Sequence, residues 1–130
     1  MVILFGCGKK SESNPEAEKV AVKVAETWLA IIDEGKYGES WEEAAQLFKN
    51  AITKEKWEKT IKGTRPSFGN LISREVISAT YKTSVPGAPD GEYVIIQFKT
   101  KFENKANAIE TITPMKNEDG VWRVSGYYIK

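Results

Sequence analysis

LISREVISATYKTSVPGAPDGEYVIIQFKTKFENKANAIETITPMKNEDGVWRVSGYYIK, residues 71–130, decides the fold. It divides into four alternating segments at turn signals. Residues 71–84 form the first, with Ile77, Ala79 and Tyr81 alternating with Ser78, Thr80 and Lys82. Two prolines and two glycines in 86–91 end it, since they supply the fixed and positive φ values that turns need. In the second, residues 92–102, Val94, Ile96, Phe98 and Phe102 point one way and Tyr93, Ile95, Gln97, Lys99 and Lys101 the other. A short loop near Asn104 and Lys105 leads to the third, residues 107–116. Glu118-Asp119-Gly120 is a tight hairpin signal into the fourth. There even alternation puts Trp122, Val124, Gly126 and Tyr128 on one face and Arg123, Ser125, Tyr127 and Ile129 on the other, with Gly126 marking a bend or bulge. Loops this short force antiparallel pairing, because a parallel crossover needs about a dozen residues.

Working outward, residues 15–70 are helical in pattern. Ala17, Val20, Ala21, Val24, Ala25, Trp28, Leu29 and Ile32 mark one apolar face of a helix over 15–34. Asn14 caps it, Pro15 suits its first position and Gly35 its C-terminal cap. Lys19, Lys23, Glu26 and Asp33 fall on the opposite side. Ser40 and Glu43 have capping-box spacing, which predicts a second helix starting at Ser40 with Trp41, Ala44, Ala45, Phe48, Ala51 and Ile52 as its stripe. Thr53 caps a third, carrying Trp57 and Ile61, which must end before Pro66. Three amphipathic helices and one meander make an α+β fold, the helices packed on one face of a curved four-stranded antiparallel sheet. Residues 15–130 are read as one domain and 1–14 as a leader remnant and flexible tether.

Composition excludes several chemistries. With no histidine, the chain lacks the usual proton shuttle and commonest metal ligand, and no Ser-His-Asp or Cys-His machinery can be built. No metal site or cofactor is expected. Net charge is +1, from 19 basic and 18 acidic residues with the signs interleaved, so no basic face for nucleic acid is present. No Gly-rich phosphate cradle occurs.

Cys7 is the single cysteine, so no internal disulfide can form. With Leu4-Phe5-Gly6 before it, it resembles a bacterial lipobox, in which such a cysteine becomes lipidated and N-terminal. A signal peptide needs a positive start and an apolar run of roughly 7–15 residues, and residues 1–6 supply neither. The expectation is a leader extending upstream of Met1, and a protein of the periplasm or outer membrane that meets the membrane only through a lipid at Cys7. Gly8, not Asp, follows the cysteine, which by resemblance to Gram-negative sorting signals no retention at the inner membrane.

Trp28-Leu29, Ser40-Trp41, Trp57, Arg65-Pro66, Gly69, Ser73-Arg74, the loop 86–93, Glu110-Thr111 and the ending Trp122-Arg123-Val124-Ser125-Gly126-Tyr127-Tyr128 together resemble the bacterial domain of unknown function 4019 family. The resemblance covers nearly all of 20–130. It is similar in layout to the nuclear transport factor 2-like (cystatin-like) superfamily, which implies a cone of helices and curved sheet around a cavity. No activity comes with it, and that fold serves enzymes, binders and dimer modules alike.

Within such a cone Glu110 is the residue to examine. Stepping by two from it reaches Ala108 and Ile112, an apolar face, where a carboxylate must be paired or protonated. It is either a general acid or base or a ligand anchor, or else a structural partner of Arg74, Arg65 or Arg123 or a residue on a face turned to water. Arg65 and Arg74 suit bidentate recognition of an anion, or pairing with Glu110 or with a helix C-terminus. Tyr81, Tyr93, Tyr127, Tyr128 and Trp122 make the sheet aromatic-rich, as a partner surface or as cross-strand packing. Trp28, Trp41 and Trp57 have core spacing. The leading expectation is a non-catalytic envelope module binding a small molecule or an envelope protein, with Arg65, Arg74, Glu110 and Tyr128 as ligand contacts. The alternatives are an enzyme using Glu110, and a homodimer formed through the aromatic sheet face.

Overall fold

The structure, a computed structural model, describes residues 13–130; Cys7 lies outside the described residues. The chain is mixed α and β: among the described residues four α-helices and one short 3₁₀ turn come first, then an open four-stranded antiparallel sheet. The helices are α1 (Pro15–Asp33), α2 (Tyr37–Glu42), α3 (Gln46–Ala51) and α4 (Lys54–Lys62), and the 3₁₀ turn spans Arg65–Phe68. The strands are β1 (Leu71–Lys82), β2 (Tyr93–Phe102), β3 (Lys105–Lys116) and β4 (Trp122–Ile129), in that spatial order. α1 is amphipathic and lies on the sheet, burying Ala21, Ala25, Trp28, Leu29 and Ile32 against Val94, Ile96, Phe98, Ile112 and Val124. Asn14 Oδ1 accepts from the Ala17 amide at 3.1 Å and Pro15 occupies the first turn, as the sequence predicts. Thr53 caps α4 in the same manner, accepting from the Lys56 amide at 3.2 Å.

The capping box at Ser40 is not formed. Ser40 is fully buried inside α2, a short helix running over Tyr37–Glu42. Its hydroxyl donates to the Tyr37 carbonyl at 2.6 Å and accepts from Trp57 Nε1 at 2.9 Å, and its carbonyl accepts from Trp28 Nε1 at 2.8 Å. One serine thus satisfies two buried indoles from two other helices, a stronger demand than capping an exposed end. The stripe read as one helix is two, because the chain turns at 43–45 so that the Ala45 amide can donate to the Val124 carbonyl at 2.8 Å.

Two bulges set which side chains face the helices. In β1 the register slips between Val76 and Ser78, leaving Ile77 extra and 53% exposed. Ile77 therefore does not share a face with Ala79 and Tyr81. In β4, Thr113 stands opposite Gly126 but Pro114 opposite Val124, which leaves Ser125 unpaired. Proline cannot donate to a ladder and is tolerated in a sheet at such a bulge. The extra residue inverts the alternation. Val124 and Tyr127 both face the helical layer, while Tyr128 turns away and is 57% exposed. This corrects the face assignment that simple alternation predicts.

Candidate functional site

The site grows from one apolar strand face that carries polar residues at its end. On β2, Val94, Ile96, Phe98, Thr100 and Phe102 are buried; on β3, Ala108, Glu110 and Ile112 are. Phe98 pairs with Glu110, and Arg74 of β1 pairs with Thr100. Alternation thus brings Arg74, Thr100 and Glu110 to the same side of neighbouring strands. The fourth strand adds Tyr127 through its bulge. The last turn of α1 adds Asp33, and the 3₁₀ turn adds Arg65.

These six form one closed network. Arg74 Nε donates to Glu110 Oε1 at 2.7 Å and its Nη2 to Oε2 at 3.3 Å. The same guanidinium donates to both oxygens of Asp33, at 2.8 and 3.1 Å. Arg65 Nη2 donates to Asp33 Oδ1 at 3.1 Å and Nη1 to the Gly69 carbonyl at 2.7 Å. Thr100 Oγ1 donates to Glu110 Oε1 at 2.6 Å, and the Tyr127 hydroxyl to Oε2 at 2.5 Å. Glu110 is 1% exposed and Arg65 5%. Two guanidiniums against two carboxylates balance the formal charge, the condition under which ions persist out of water.

Local backbone prepares this cluster. Gly69 has φ +78° and ψ −163°, a region essentially reserved to glycine, and a Cβ there would come within 3 Å of the Glu103 side chain. That conformation presents its carbonyl to Arg65. The Arg65 guanidinium also stacks on the Phe102 ring, 4.3 Å from its centroid. Its Nε is buried without a partner among the described residues.

Burial works against the charge of Arg74. Hydrogen bonds to Asp33 and the nearby Glu110 carboxylate outweigh it, so its pKa rises above the ordinary arginine value. Burial, then the field of Glu110 and the hydrogen bond to it, push the Tyr127 phenol well above its ordinary value of 10. A phenol whose folded pKa is raised contributes stability that is fully present below the unfolded pKa and lost as pH rises beyond it. The wild type is therefore expected to lose stability above about pH 10, and Tyr127→Phe to lose less over the same range. Urea midpoints at pH 8 and pH 11 check this; equal alkaline losses in the two proteins would count against it.

Of the residues that the sequence singles out, the structure joins Arg65, Arg74 and Glu110 in the network and leaves Tyr128 on the opposite face of the sheet. Arg123, weighed as a partner for Glu110, pairs instead with Asp119 at the surface. Asp33, Thr100 and Tyr127 belong to the network although no pattern argument picks them for it. Asp33 is not on the solvent side of α1, as the helical spacing suggests. It follows buried Leu29 by four residues, so it flanks the apolar face. Among the described residues no group of three or more acids or cysteines is placed to hold a metal.

Among the surface concavities outside this cluster is a groove of about 300 Å³ between α1 and β4, lined by Lys23, Val24, Ile31, Glu43, Trp122 and Arg123 among others. It does not include Arg65, Arg74 or Glu110.

The family model described as "Protein of unknown function (DUF4019)" matches residues 24–127, which include the whole charged network and the lining of the groove except Lys23. The chain belongs to this family. No curated protein matches it.

Proposed function

We propose that this member of a family of unassigned function is a non-catalytic binding module of the bacterial cell envelope, carried on a lipid at Cys7 and holding its ligand at the surface. The observation that carries the reading is the saturation of Glu110. A general acid or base has to reach the proton it moves, and both oxygens of this carboxylate are already occupied by Arg74, Thr100 and Tyr127. The cluster acts as a clasp between α1, the 3₁₀ turn and all four strands. The groove between α1 and β4, by contrast, combines apolar walls with a few polar groups, as small-molecule sites do. The ligand is a small molecule or a segment of an envelope protein.

The address rests on the lipobox-like Leu4-Phe5-Gly6-Cys7. The finer relation of the fold, to the nuclear transport factor 2-like (cystatin-like) superfamily, belongs to the same proposal. Helices on one face of a four-stranded meander, and bulges that bend its strands, support it.

Two measurements test the reading. Expressed in a Gram-negative bacterium with its leader, the protein should fractionate with membranes and carry acyl mass at Cys7, and Cys7→Ser should abolish both. An unmodified soluble wild type overturns the address. In a thermal-shift screen of envelope metabolites, a true ligand at about 100 times its Kd adds roughly 2.7 kcal/mol of apparent stability. Turnover of such a ligand that Glu110→Gln abolishes would overturn the non-catalytic assignment.

A further inference from the structure

Resting on that reading, we propose that the groove between α1 and β4 binds a medium-chain carboxylate, with its apolar chain along the groove and its acid group at Lys23. One wall is a row on α1 made of Val24, Thr27 and Ile31, one helical turn apart. Val20 continues that row outward and is 47% exposed. The other wall is Val121, 48% exposed, with Trp122 and Val124. Trp28 forms the floor, and its indole N–H is already given to the Ser40 carbonyl. The floor therefore offers carbon and no donor, which suits a hydrocarbon chain.

Size and charge narrow the occupant. At about 300 Å³ the groove sits at the bottom of the roughly 300–1,000 Å³ range of small-molecule sites, so it takes a slender ligand. Three charged residues line it. Arg123 is held by Asp119 through bonds of 3.0 and 3.2 Å and also feels the charge of Glu43. Lys23 makes no ion pair among the described residues. The free cation is therefore at Lys23, and Glu43 repels an anion from the Arg123 end. One ammonium with the Thr27 hydroxyl beside it matches a singly charged carboxylate; a dianionic phosphate would lack a second cation.

The test is a titration of the full chain with decanoate, decyl phosphate and decyltrimethylammonium, each below its micellar concentration. The readout is the amide and indole resonances. Decanoate should bind saturably and shift Val24, Ile31, Val121 and the Trp122 indole. Lys23→Glu and Val121→Asp, both at exposed or half-buried positions, should each weaken it about tenfold or more, with the remaining resonances unmoved. Tighter binding of decyl phosphate overturns the carboxylate assignment. Equal binding of the cationic chain, no loss in Lys23→Glu, or no shifts along the groove overturns the site. In that last case a stabilising compound from the thermal-shift screen that binds elsewhere would leave the binding-module reading standing; the absence of any such compound would remove both.

Discussion

Arg74→Met should cost about 3–5 kcal/mol of folding stability, the range seen when one partner of a buried ion pair is removed. The size follows from what is stranded. Among the described residues Arg74 alone touches both carboxylates of the cluster. Without it Glu110, 1% exposed, keeps only two hydroxyl donors, and Asp33 keeps only Arg65. A second substitution separates a clasp from a sum of contacts. In Arg74→Met/Glu110→Leu the stranded carboxylate is gone and apolar volume takes its place. Replacing a buried pair by apolar residues is often neutral or stabilising, so most of the loss should return. Urea unfolding of the two single variants and the double variant measures this as a coupling free energy. If the two single costs simply add, the network is not a unit and the account of the site fails.

Trp28→Ala should be nearly as damaging, at about 3–5 kcal/mol. Trp28 is the hub of the aromatic core. Its ring meets Phe48 at 6.0 Å, Trp57 at 6.1 Å and Tyr127 at 5.5 Å, and its N–H satisfies the carbonyl of buried Ser40. The substitution opens a cavity next to the layer that holds Tyr127 against Glu110. Trp41→Ala is the internal control. Trp41 is only half-buried, and its side chain makes one hydrogen bond, from Nε1 to the Ile52 carbonyl at 2.8 Å. Its loss should cost well under half as much. Equal losses for the two tryptophans would contradict the proposed layout of the core.

Both expectations draw on features that differ in how far local sequence reveals them. The antiparallel meander, the Asn14 and Thr53 caps and the apolar face around Glu110 follow from periods of 2 and 3.6 and from turn residues, which act over a few positions. The β4 bulge was partly visible too, since Gly126 flags it and Pro114 cannot extend a ladder. What Gly126 does not reveal is that Ser125 is the extra residue. That one step decides whether Tyr127 or Tyr128 enters the cluster. Ser40 shows the opposite failure. Its spacing to Glu43 satisfies the capping rule, yet two indoles 12 and 17 residues away claim it for the interior.

The sequence by itself determined an α+β chain with helices before a four-stranded meander, no histidine chemistry, and a carboxylate at position 110 that had to find a partner. Only the tertiary structure decided which partner. Arg74 and Glu110 are 36 positions apart and Arg74 and Asp33 41, so strand register and the seat of α1 on the sheet, rather than any local pattern, choose among the arginines. The reason is that side-chain direction repeats locally, whereas the pairing of buried charges is settled by the low-dielectric space that three distant segments enclose together.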